Sequence, residues 1–221
     1  RLLERLQAAL EAAGRWRDAV DAKVALSETI ENPRDRARAM TAAAGMCARR
    51  TNDVPRAVAL YEAAIADDPS APGAFEAIEA VLLKNEDFGG IDRATTRQLE
   101  RLVERGETAA ATGLLDRLAT LRADRLYDMR GAIVALDQLV VLAPSNVEAR
   151  VRLASLLERT NEVELAARCL ETAAEWGPTR PETFRDLRRV CDRLGDVDRG
   201  YCACAVLVHL GEADVEEQEI Y

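Results

Sequence analysis

Four residues near the end of this sequence have the types that could hold a metal: Cys191, Cys202, Cys204 and His209. Thiolate and imidazole groups suit zinc. But Cys202-Ala203-Cys204 sits in a helical pattern, where side chains two residues apart point roughly 200° apart and cannot share one ion. Cys191 and Cys204 also fall at apolar positions, where a buried thiol behaves as a small hydrophobe. The reading is therefore core, with no metal and no cofactor. A single histidine excludes any two-histidine motif, and neither a glycine-rich phosphate loop nor a nucleophile elbow occurs. The carboxylates stand beside arginines in the manner of solvated helix faces. The expectation is a protein that is not an enzyme.

What does recur is a cation. Arg50, Lys84, Arg125, Arg159 and Arg193 follow one another at intervals of 34, 41, 34 and 34 residues. The elements that must position them are helices in a repeating unit. A small residue opens the second helix of each unit, apolar or small residues follow at four and seven, and proline comes at twelve. Ala57, Tyr61, Ala64, Pro69 fit, as do Ala132, Leu136, Leu139, Pro144 and Ala166, Leu170, Ala173, Pro178. Five residues before the anchor, Gly14, Asn52, Asn161 and Gly195 supply turns that accept the left-handed conformation.

This grammar resembles the tetratricopeptide repeat, two antiparallel helices in about 34 residues. Gly14–Ala19 and Ala57–Pro69 look like that family's second helix, and Phe184, Leu187 and Gly195 match its first helix and turn. The resemblance implies an all-α, right-handed α-solenoid of about six helix pairs in one domain. Its units lie near 1–31, 32–69, 70–105, 106–144, 145–178 and 179–212, followed by a short acidic helical tail. It also implies that the end of each first helix lines a concave groove. The groove cations would be Arg49, Arg50, Lys84, Arg117, Arg125, Arg159, Arg185, Arg189 and Arg193, a basic surface for a protein or acidic peptide. The competing reading is electrostatic: these residues close helices, where cations complement the dipole, and Asp124, Glu158 and Asp192 beside three of them could pair across units. The family's lysine clamp for carboxy-terminal peptides is not expected, since Glu4, Ala42 and Glu76 occupy the relevant places.

Ser145 with Glu148 and Thr179 with Glu182 read as capping boxes that open first helices, and Asn32-Pro33 reads as a cap followed by the first helical residue. Residues 85–97 fit the repeat badly, because Gly89-Gly90 falls where a helix should start; the partner helix is expected from Asp92 to Glu104. Trp16 and Trp176 read as packing residues between units.

The net charge of −9 and pI near 4.9 disfavour nucleic acid as a partner. No run is long and apolar enough to span a membrane. An odd number of cysteines on helices favours a reducing compartment, hence the cytoplasm. The opening Arg1 and a helix already under way suggest a segment of a larger bacterial protein, whose amino-terminal face could self-associate. Two further roles are weighed: a structural spacer, and a regulatory module appended to an enzyme.

Overall fold

The structure is a computed structural model and describes residues 2–221; Arg1, where a cut end is expected, lies outside the described residues. The helices group into two compact units, residues 1–101 and 102–221. In the first, α1 (Leu2–Ala12) pairs with α2 (Trp16–Glu28), and α3 (Pro33–Met46) pairs with α4 (Val54–Asp67). α2 packs on α3 and α4 on α5 (Ala74–Lys84), which leads into α6 (Phe88–Glu104). In the second, α7 (Thr108–Asp124) pairs with α8 (Met129–Leu142), α9 (Val147–Arg159) with α10 (Val163–Trp176), and α11 (Pro181–Leu194) with α12 (Val197–Leu210). Within this second unit each pair rests on the next, and a six-residue helix α13 (Val215–Ile220) closes the series on α12. The fold is all-α, built from helix pairs packed in sequence.

One turn joins the two helices of every pair. A residue in the left-handed conformation ends the first helix, and an N-cap follows at once. The left-handed residues are Gly14, Asn52, Glu86, Tyr127, Asn161 and Gly195. Where the next residue is aspartate, its carboxylate accepts a hydrogen bond three residues on: Asp53 from Arg56, Asp87 from Gly90, Asp128 from Gly131 and Asp196 from Arg199. Each bond satisfies an amide that the first helical turn leaves open. Glu86 and Tyr127 are not legible as turn residues because neither type favours this conformation, which costs an ordinary L-residue about 1 kcal/mol.

Several expectations need correction. α6 begins at Phe88, not Asp92, and takes Gly89 and Gly90 into its first turn. Gly90 is there for proximity: a Cβ on it would sit 2.9 Å from Leu82 Cδ2 and clash with the Asp87 cap. The extra residues between Pro69 and Pro144 become helix rather than loop, since α6 and α7 each run 17 residues. Neither expected capping box forms. Asn146, not Ser145, caps α9 by accepting from the Ala149 amide. At α11, Pro181 sits in the first turn and makes Arg180 the N-cap, which has no acceptor to offer. Trp176, expected to pack between units, is 54% exposed. Asn32 does cap α3, accepting from Arg34 and Asp35.

Candidate functional site

The column of cations has a structural definition: each member stands two residues before a left-handed turn residue, at Arg50, Lys84, Arg125, Arg159 and Arg193. First-helix ends place them. What surrounds them differs along the chain.

In the first unit α3 ends in a wide π turn, Cys47–Thr51, that carries both Arg49 and Arg50 on the surface. The Arg50 guanidinium carbon lies over the half-buried Trp16 ring, 4.6 Å from its centroid, a cation–π contact. Arg49 reaches over Gly45 towards α4. A Cβ at Gly45 would be 3.1 Å from Arg49 Nη1 and 3.3 Å from the Tyr61 hydroxyl, so the missing side chain makes the room. Burial pushes the Tyr61 hydroxyl pKa up, and the Arg49 charge works against that rise. Lys84 ends α5, exposed. Among the described residues no carboxylate pairs with Arg49, Arg50 or Lys84.

The reason lies in the repeat. Several ion pairs link a carboxylate to an arginine 35 residues later, one repeat along: Asp21 to Arg56, Glu158 to Arg193 and Glu164 to Arg199. Glu62 with Arg97 at 3.5 Å follows the same step. Thirty-five residues before Lys84 stands Arg49, and 35 before Arg50 stands Arg15. At that step each meets a cation in the sequence in place of a carboxylate. The step does not sort every member: it sets Asp124 before Arg159, which no carboxylate pairs with among the described residues, and Gly90 before Arg125, which has a partner.

In the second unit the first helices are laced together. Glu158, whose side chain is 12% exposed, receives Arg193 at 2.8 Å and also Arg189, which further binds Asp186 at 2.8 Å. Burial pushes the Glu158 carboxyl up, but hydrogen bonds and charge from the two arginines outweigh it and hold the pKa below the usual range. Arg152 on α9 binds Asp116 on α7. Arg185 binds the Glu212 carbonyl and lies 3.4 Å from Glu217. Arg117 and Arg125 are exposed and each has a partner within the protein. Arg159 is exposed, with no carboxylate paired to it among the described residues.

Sequence reasoning missed two features: the Trp16–Arg50 contact and the buried Glu217. The second had a signal, since Asp214 and Glu217 form the capping-box spacing and do make both hydrogen bonds. The thiols of Cys191 and Cys204 are buried while Cys202 is exposed, and no group of three or more metal-ligating side chains occurs among the described residues. Among those residues no helix is long and apolar enough to cross a membrane.

No protein-family model matches the chain, and no curated protein matches its sequence. Among solved structures it is similar to YrrB, described as a TPR protein with an unusual peptide-binding site, at 17% identity and a TM-score of 0.48. That match covers 82% of this chain and 89% of that one. A crystal structure of MamA protein matches at 15% identity and a TM-score of 0.49, over 78% of this chain and 92% of that one. PilF of Pseudomonas aeruginosa matches at 16% identity and 0.45, over 99% and 94%. On its own helix pairing and turn register, the fold of this chain is a tetratricopeptide-like series of helix pairs.

Proposed function

We propose that this protein is a non-catalytic protein-interaction scaffold whose first unit binds an acidic segment of a partner protein at the ends of α3 and α5. The observation that carries the reading is the absence of any carboxylate paired with Arg49, Arg50 or Lys84 among the described residues, with Arg50 already placed over the Trp16 ring. A guanidinium held in place loses less freedom on meeting a carboxylate, and two parallel N–H bonds then give direction as well as strength. Five free thiols fit a reducing compartment, the cytoplasm in our reading. Leu2 and Leu6 leave an apolar edge exposed on α1, through which we propose self-association; a sharply monomeric sedimentation profile at high concentration would remove that part.

The paired arginines favour a second role for the other unit. Arg185, Arg189 and Arg193 are engaged by the protein's own acceptors, as a spacer that holds its form requires.

The test is a pull-down from source lysate with the native chain, with an Arg49→Glu/Arg50→Glu/Lys84→Glu variant, and with an Arg189→Glu/Arg193→Glu variant. A partner lost only by the first variant, at unchanged helicity, supports binding at unit 1. Equal profiles from all three leave the whole chain a spacer.

A further inference from the structure

Charge contributes much of the hold on the last helix of the chain, beside the Tyr221 ring that stacks on Tyr201 of α12 at 5.8 Å. Glu217 is 2% exposed and is the one buried residue of α13, while Val215 is 73% exposed. Its Oε2 accepts from the Asp214 amide at 2.8 Å; its Oε1 lies 3.4 Å from Arg185 Nε and 3.8 Å from Arg188 Nη1. Glu216 meets Arg188 Nη2 at 2.7 Å, and Arg185 donates to the Glu212 carbonyl. Both arginines belong to α11. Six residues are too few to stay helical alone in water, so α13 exists by docking. Docking through such charge-assisted contacts is weakened by salt.

The hold is also incomplete. The Arg188 side chain is only 13% exposed, yet its buried Nε has no hydrogen-bond partner; Asp192 Oδ2 stands 3.8 Å away. An arginine grips a carboxylate best through a fork of two N–H bonds, and α13 gives Arg188 one short contact. A buried donor left open is a standing cost that a better-shaped acidic group would remove.

We infer that the Arg185–Arg188 face of α11 is a docking surface for an acidic helix of a partner protein, one that opens with Asp-x-x-Glu, and that α13 occupies this surface in the resting chain. The partner's fourth residue takes the place of Glu217, and a neighbouring acidic side chain completes the fork at Arg188 Nε. α13 yields because it satisfies the arginine only in part. This surface lies on other helices than the cations of unit 1, so the inference stands apart from the function proposed above.

The test uses the full chain and a fluorescent peptide with the sequence EADVEEQEIY, residues 212–221. Glu217→Gln loosens α13 while leaving both arginines in place. That variant binds the peptide at least about tenfold more tightly than the native chain, and adding Arg188→Glu abolishes the binding. Equal affinity for the native and Glu217→Gln chains overturns the inference, as does no binding to the variant. Hydrogen exchange on the native chain gives a second reading if the variant folds poorly. Amides 215–220 lose at least about tenfold protection when salt rises from about 50 mM to about 500 mM, while α10 is unaffected. Protection of α13 equal to that of α10 at both salts makes it a permanent part of the fold and ends the proposal.

Discussion

The two units share a fold and spend their residues differently. In residues 1–101 the large, fully buried side chains are Val20, Cys47 and Ile78, and much of the remaining core is alanine: Ala19, Ala37, Ala43, Ala44, Ala57, Ala64 and Ala74. In residues 102–221 they include Leu115, Leu136, Leu139, Leu170, Val190 and Leu207. A buried leucine contributes roughly 1.5–3 kcal/mol relative to exposure, and alanine much less. Charges follow the same division. Ion pairs between repeats in the first unit, such as Asp21–Arg56 and Glu62–Arg101, link second helices and leave the first-helix ends open. In the second they also link first helices, through Asp116–Arg152 and Glu158–Arg193. One unit has a core of mostly small side chains and charge to offer; the other has a core of larger ones, with its charge turned inward.

The largest effects test the packing half of that comparison. Leu136→Ala leaves a cavity in the second unit and should cost about 2–5 kcal/mol by urea denaturation. Native-state hydrogen exchange should show α2–α4 opening at lower free energy than α8–α10. Equal protection in the two units would break the comparison.

Two glycines give the next effect, with opposite signs. Gly90→Ala forces a methyl against Leu82 and the Asp87 carboxylate and should cost about 1–3 kcal/mol. A methyl on Gly113 in α7 would meet nothing within 4 Å, so Gly113→Ala should add about 0.5–1 kcal/mol. Thermal melts of both variants decide it; equal shifts would mean that α5 and α6 tolerate more separation than their contact implies.

Acid provides a smaller and more specific test. Glu158 has a depressed pKa in the folded state, so its contribution is present above the unfolded carboxyl value of about 4.3 and lost as pH falls through the folded value. Glu158→Gln should cost about 1 kcal/mol at pH 7 and flatten the loss of stability below about pH 4. An unchanged acid limb would show that Arg189 and Arg193 hold Glu158 no better than solvent does. The smallest effect belongs to Arg159, exposed and without a paired carboxylate among the described residues. Arg159→Ala should stay within about 0.5 kcal/mol of the native chain.

Helix existence and most turns were legible because their causes are local. Asn32-Pro33 opens α3 by cap geometry alone, Met129–Leu142 follows from apolar spacing, and Gly195 accepts the left-handed backbone that ends α11. Local signals failed where two of them competed at adjacent positions. Ser145 and Asn146 are both good caps, and the helix took the second. They also failed where a distant contact redefined a residue, as at Gly90, whose role is set by Leu82 on another helix. Trp176 shows the limit of residue type: an aromatic ring at the end of a helix is no guarantee of full burial.

The basic column itself divides in the same way. Its members and their 34-residue step are properties of the sequence, because helix ends recur with the turns that terminate them. Which members stay available was decided by tertiary structure. Glu158 can collect Arg189 and Arg193 only because stacking brings side chains 31 and 35 residues apart into contact. Arg185 is drawn to Glu217 only because α13 folds back beside α11. Local periodicity determines where a charge sits on its helix; the choice among many chemically alike carboxylates depends on distances that exist only after packing.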